Sequence, residues 1–229
     1  MTEVIIFAEG QTEEQFIKRV IAPSLRSAQI FIKPQMLKTS REASGGAISF
    51  DRLKFNVRNT LRQYPDTVLS TFLDLYALET NFPAYQDAKS KPDIYTQTAH
   101  LESALHQAIV EHVGCRPERF IPHIQPYEFE GLLFSNVAAL CDIEPSWNTS
   151  LAKLSAVRIS FETPEHINDS YETKPSRRLA NILQPKYQKK RHGPLCAERI
   201  TLPVMEAECL HFSKWMDKLR LLADTSNVG

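Results

Sequence analysis

The chain has few cysteines, no surplus of charge and no long apolar run, and each lack removes a class of function. Its four cysteines, Cys115, Cys141, Cys196 and Cys209, stand far apart with no C-x-x-C pair. That excludes a zinc ribbon and a disulfide framework and fits a reducing cytosol. Lysine plus arginine and aspartate plus glutamate number 27 each, so bulk charge points to no partner, and contact with nucleic acid needs a local basic patch. No apolar stretch approaches the ~20 residues of a membrane-spanning helix. The N-terminus enters a strand at once rather than a signal peptide, so a cytoplasmic protein with no membrane contact is expected. There is no internal repeat, no low-complexity tract and no P-loop lysine. Gly45-Gly46 closes a polar segment, 38–46, that reads as a flexible loop, with phosphate binding as the lesser alternative.

What is present begins with Val4-Ile5-Ile6-Phe7-Ala8-Glu9-Gly10-Gln11-Thr12-Glu13-Glu14-Gln15-Phe16. Four apolar residues before a glycine predict a short buried strand of a parallel sheet. Thr12 is an N-cap candidate for a helix over 12–25, with acidic residues in its first turn. Glu9 thus ends a strand and Glu13 follows four residues on, at the edge where open α/β sheets place their sites. Two carboxylates converging there point to a hard divalent cation such as Mg²⁺. Glu13 and Glu14 are also explained by the helix dipole alone. Glu9 is harder to dismiss, because a carboxylate ending an apolar strand needs water, a cation or a metal.

The pattern then repeats. Residues 30–37 predict a second strand, edged or broken by Pro34. Phe50, Leu53, Val57 and Leu61 have helical spacing over 50–64. Residues 67–76 are a β-rich run ending in Asp74, which two parallel strands would bring within reach of the same ion as Glu9; a cap beyond the strand is the alternative role. Residues 77–95 read as a loop or lid over that edge, and 100–113 as a helix. A strand over 119–125 runs into Tyr127-Glu128-Phe129-Glu130, where one of the two acids is expected to face the site and Glu128 is nearer the strand's end.

The last third differs. Thr163-Pro164-Glu165 predicts a helix start and Asn168-Asp169-Ser170 a turn. From Lys174 to Ala197 no residue is acidic, while Lys174, Arg177, Arg178, Lys186, Lys189, Lys190 and Arg191 are basic, with Tyr187 as a stacking face among them. This is a phosphate-backbone track or a catalytic Lys/Arg beside a metal; the other reading is a solvated loop with basic helix ends. Residues 205–222 predict an amphipathic helix with Phe212, Trp215 and Leu219 in the core.

Across nearly the whole chain these motifs resemble those of TOPRIM-like proteins related to the OLD-family nucleases. More closely, the chain is similar to a family of small proteins often encoded beside an ABC-type or SMC-like ATPase in bacterial defence loci. The matching pieces are 8–16, Leu73-Asp74-Leu75-Tyr76, 128–134, 164–169, Lys174-Pro175-Ser176-Arg177-Arg178, Tyr187-Gln188-Lys189 with His192-Gly193, and 209–215. The resemblance implies an α/β TOPRIM-like fold and Mg²⁺ or Mn²⁺ held by Glu9, Glu13, Asp74 and Glu128. It also implies Lys189 and Glu13 in catalysis, with Arg177, Arg178, Lys186, Lys190 and Arg191 on DNA or RNA. Tyr76 stands where the pattern has a second Asp, which leaves Glu128 or Glu130 to complete the ligands, and Tyr127 stands where relatives have His. The activity implied is a metal-dependent nuclease working with an ATPase partner; the alternative is a non-catalytic binding or regulatory subunit of such a complex.

At 229 residues, one domain with an extension is expected. It comprises a core over 1–140 with a mainly parallel sheet of about four strands flanked by helices, a mainly helical C-terminal extension over 141–222, and a disordered tail over 223–229.

Overall fold

The computed structural model describes residues 1–37, 47–168 and 170–225. The 38–46 segment with its Gly45-Gly46 phosphate reading, Asp169 of the expected turn and residues 226–229 of the expected tail lie outside them. Strand β1 (Thr2–Ala8) is the apolar run, with Val4 to Ala8 fully buried. Helix α1 (Gln11–Phe16) continues through a π-turn over Ile17–Ile21 into α2 (Ala22–Leu25). Strand β2 (Ile30–Met36) lies parallel to β1 at the sheet edge, the position where a strand tolerates Pro34. Helix α3 (Phe50–Gln63) is capped by the Ser49 hydroxyl, and β3 (Val68–Asp74) then runs parallel to the other side of β1.

After the short α4 (Tyr85–Ala88) comes α5 (Ile94–Val113). It starts earlier than the expected residue 100, because the Asp93 carboxylate takes the amides of Tyr95 and Thr96. The expected 119–125 strand is broken into β4 (Phe120–Ile121) and β5 (Ile124–Gln125), both parallel to β3. At the break, between Pro122 and Ile124, the Thr71 hydroxyl accepts from the His123 amide and donates to its carbonyl, each at 2.9 Å.

The sheet order is β2-β1-β3-β4, with β5 continuing beside β3. This is an α/β fold with a parallel sheet flanked by helices. Alternate residues feed two cores. Ile5, Phe7, Leu69 and Leu73 pack against α3 and α5. Val4, Ile6, Ala8 and Phe72 pack against α1, α2 and the C-terminal elements. Those elements are a 3₁₀ segment (Phe129–Asn136), α6 (Val137–Cys141), α7 (Leu151–Ile159), α8 (Pro175–Ile182) and α9 (Lys189–Ile200). They continue as α10 (Leu202–Glu208), α11 (Leu210–Arg220) and α12 (Leu222–Thr225), which begins just before the start of the expected tail.

The single helix expected over 205–222 is divided at Cys209, where φ −121° and ψ 91° leave helical space. Glu165 explains the division. Its buried carboxylate accepts the amides of His211 at 2.9 Å and Phe212 at 3.0 Å, which are free donors at the N-terminus of α11.

Candidate functional site

The chain steps from β1 outward to β2, then crosses back to place β3 on the far side of β1. The C-terminal ends of β1 and β3 therefore border the point where the winding reverses, the usual site crevice of an open parallel sheet. Glu9 follows the last residue of β1 and Asp74 is the last residue of β3. Glu13 enters from the first turn of α1 and is 2% exposed.

Glu128 and Glu130 reach the same place because the backbone turns sharply after β5. Tyr127 takes the left-handed conformation, φ 55°, which a non-glycine residue adopts only when its surroundings demand it. Glu128 remains extended and a 3₁₀ turn begins at Phe129. The turn is tied to the strand ends: Asp74 Oδ1 accepts the Phe129 amide at 2.7 Å, and the Tyr76 amide donates to the Tyr127 carbonyl.

Lys189, the first residue of α9, fills the centre. Its Nζ lies 3.2 Å from Glu13 Oε1, 3.3 Å from Asp74 Oδ2 and 3.4 Å from Glu130 Oε2. Glu128 is held to one side by Lys174 Nζ at 2.7 Å and by the Ser176 amide at 3.0 Å. Five carboxylates thus face two ammonium groups. A cavity of about 250 Å³ opens onto Glu9, Asp74, Tyr76, Glu128, Lys174 and Lys189.

Burial sets the electrostatics. It pushes the Glu9 carboxyl up to about 7, with the Glu13 charge adding to the shift and Lys189 opposing it. Glu130 also rises to about 7 through burial, despite the opposing Lys189, and Asp74 rises well above the usual carboxylate range for the same reason. Burial works to discharge Lys189, but the charges of Glu130, Asp74 and Glu13 outweigh it and hold its ammonium form.

Glu9 Oε2 is buried with no hydrogen-bond partner among the described residues, while the buried Glu13 Oε1 and Glu130 Oε2 share the single Lys189 ammonium, at 3.2 and 3.4 Å. Several buried anionic oxygens served by one shared ammonium are costly, and an oxygen-preferring divalent ion is the group that satisfies several at once. The residues present therefore fit such an ion. Carboxylates standing 3.2–3.4 Å from an ammonium are spaced more widely than the ~2.1 Å of Mg²⁺–oxygen bonds, so they must close in to hold one.

The expected residues fall into two groups. Glu9, Glu13, Asp74 and Lys189 meet at one point, and of the alternative acids it is Glu130 that touches Lys189, while Glu128 pairs with Lys174. Among the basic residues, Arg177, Lys186 and Lys190 are exposed, and Arg177 lies over the Tyr171 ring at 5.7 Å. Arg178 turns inward to the Thr173 carbonyl and the Phe161 ring, and Arg191 pairs with Glu144 at 2.6 Å. The stacking role for Tyr187 is overturned: the ring is buried, its hydroxyl donating to Glu130 Oε1 at 3.4 Å. Tyr76, in the place of an acid, offers a half-exposed ring packed on Tyr127 at 5.6 Å.

Sequence reasoning missed a second cluster. Glu102 of α5, His123 at the break between β4 and β5, and His211 of α11 are buried and bring ligand atoms within 4.8 Å of one another, a group that could hold a metal ion. One signal was available. Glu102 lies among Thr98, Leu101, Leu105 and Ile109 on the buried stripe of α5, where a carboxylate needs a partner.

A protein family described as "Domain of unknown function (DUF4276)" matches residues 8–220. The chain belongs to that family. The span matched to DUF4276 takes in all five carboxylates, both lysines and the Glu102 cluster. No curated protein and no solved structure matches the chain.

Proposed function

We propose that this chain is a metal-dependent nuclease that hydrolyses phosphodiester bonds of DNA or RNA at the crevice between β1 and β3. The observation that carries the reading is the set of buried carboxylate oxygens on Glu9, Glu13 and Glu130, the first without a partner and the other two sharing one ammonium, gathered with Asp74 around Lys189. A TOPRIM-like fold is part of the proposal, supported by a parallel sheet whose first and third strands each deliver an acid to one edge.

Glu9, Glu13, Asp74 and Glu130 would hold Mg²⁺ or Mn²⁺, with Glu128 kept in reserve by Lys174. Such an ion, when bound, lowers the pKa of water and neutralises charge developing on the phosphoryl group. Lys189 supplies a fixed ammonium to the non-bridging phosphate oxygens, a charge that grows in value where water is excluded. Burial pushes the Glu9 carboxyl up to about 7 in the metal-free chain, so a bound cation would favour its ionised, ligating form. Lys174 lines the cavity, and Arg177, Lys186 and Lys190 are exposed cations of the same basic stretch, for which each phosphate contact would add affinity and salt dependence.

A non-catalytic subunit of an ATPase complex is the second reading, favoured by one observation: Lys189 already fills the centre that an ion would take. Partnership with an ABC- or SMC-like ATPase in bacterial defence belongs to both readings. The test is cleavage of labelled single- and double-stranded DNA and RNA with Mg²⁺ or Mn²⁺, alongside calorimetric Mn²⁺ binding. The wild type is expected to bind and cleave, and Asp74→Asn to lose at least ~100-fold in rate, several kcal/mol of lost charge stabilisation. Undiminished cleavage by Asp74→Asn would sink the assignment. Metal binding without cleavage, alone or with an ATPase, would move it to the second reading.

A further inference from the structure

The Glu102 cluster stands apart from the carboxylate edge in chemistry, combining two imidazoles with one carboxylate. Its Glu102 Oε1 receives the Ile124 amide at 2.8 Å and lies 2.8 Å from His211 Nε2 and 3.5 Å from His123 Nδ1. The His123 contact is the anomaly. His123 is fully buried, yet its Nδ1 has no hydrogen-bond partner among the described residues. The proton's place follows from the neighbours. Glu165 is a carboxylate, so the Gln125 amide turns its Nε2 towards Glu165 Oε1, at 3.5 Å, and its Oε1 towards His123 Nε2, at 3.2 Å. Facing a carbonyl oxygen, His123 Nε2 carries the hydrogen. The Nδ1 lone pair of a neutral ring then points at the Glu102 carboxylate, an arrangement that calls for a cation between them.

We propose that Glu102, His123 and His211 form a binding site for a transition-metal ion of the Zn²⁺ class, separate from the acidic edge. Two nitrogens and one carboxylate oxygen are the donor set of tetrahedral zinc with one position left for water. A cavity of about 130 Å³, lined by Tyr95, Glu102, His211, Trp215 and Lys218, has room for that water. The Gln125 carbonyl is the outer partner that fixes the tautomer of a ligating histidine. His123 is clamped flat on Trp215, at 4.5 Å and 14°, with its backbone held by Thr71. The His211 ring stacks on His123 at 5.1 Å and 26°, so it must turn about its last side-chain torsion to aim at the same point, a soft motion. The ion would join α5, the sheet edge and α11, fastening the last long helix to the core.

The test uses the full chain in an Asp74→Asn background, which keeps the acidic edge from contributing. After stripping with a chelator, Zn²⁺ is added and bound metal is counted by mass spectrometry after gel filtration. One Zn²⁺ per chain is expected, and adding His211→Gln should weaken binding by ~100-fold or more, beyond the 10–100-fold typical of an outer partner. Absence of stoichiometric Zn²⁺, or equal binding with and without His211→Gln, overturns the proposal and leaves a hydrogen-bonded Glu–His cluster. Should the double variant fail to fold, Co²⁺ in the Asp74→Asn chain decides. An intense visible spectrum of four-coordinate Co²⁺ with nitrogen ligands supports the site, and a weak six-coordinate spectrum overturns it.

Discussion

Lys189 and Asp74 are 115 positions apart in the chain, yet Lys189 Nζ lies 3.3 Å from Asp74 Oδ2 at the end of β3. The same ammonium touches Glu13 and Glu130, so one side chain from the C-terminal helices is counter-ion to acids from three other segments. It offsets part of the site's negative charge in the absence of metal and stands where a phosphate oxygen would need it.

Lys189→Met should therefore cost more stability without divalent ions than with them. Removing one partner of a buried ion pair costs about 3–5 kcal/mol. Lys189 is 36% exposed, so screening reduces the expected loss to roughly 1–3 kcal/mol. Melting without metal should fall by several °C, at ~2–4 °C per kcal/mol, and Mn²⁺ should restore more of it in the variant than in wild type. An unchanged melting temperature without metal would show that the ammonium does not hold the carboxylates together.

Stability should also depend on pH through Glu9 and Glu130. Both carboxyls are pushed from an ordinary 4.5 to about 7, so the folded chain binds protons that the unfolded chain has released. Their contribution is full below pH 4.5 and is lost as pH rises through 7. His123 and His192, whose pKa values burial holds down, act the other way below pH 6.5, so the comparison must be made against a variant. From pH 5 to 8 the wild type should lose on the order of 1–3 kcal/mol relative to Glu130→Gln. Denaturant titrations at the two pH values measure this, and a difference independent of pH would contradict it.

Gly193 is where α9 meets α1. A Cβ there would lie 2.8 Å from Thr12 Cγ2, 3.1 Å from the Tyr187 hydroxyl and 3.2 Å from Phe129 Cε1. Gly193→Ala should destabilise by ~1–2 kcal/mol, overpacking outweighing the gain in helix propensity. It should also shift Lys189 and lower metal-dependent activity. Thr12→Ser, which deletes the clashing methyl, should recover part of both losses; no recovery in the double variant would place the strain elsewhere.

Glu165→Ala should cost ~2–3 kcal/mol, because the amides of His211 and Phe212 lose a buried charged acceptor. The check is thermal melting together with hydrogen exchange at those two amides, which should quicken before the amides of β1 do. Uniform quickening across the chain would argue that Glu165 supports the whole core rather than α11.

Local pattern was enough for β1, β2, β3, α3 and the acids that end two strands, because a buried parallel strand reads as a nearly continuous apolar run and a terminal acid then stands out. It also marked Lys189 within an acid-free stretch. What it could not supply was pairing over distance. Whether Glu128 or Glu130 meets Lys189 depends on the left-handed turn at Tyr127, and the β4–β5 break depends on a Thr71 hydroxyl about fifty positions away. The division of the last helix depends on Glu165, and the isolation of His123 on Gln125 and Glu102. By itself the sequence determined the apolar strands of the sheet and which of them end in acids, since both follow from nearest-neighbour periodicity. Only the tertiary structure decided which acid faces which base, because a buried charge takes its partner from whichever segment the packing brings within ~4 Å.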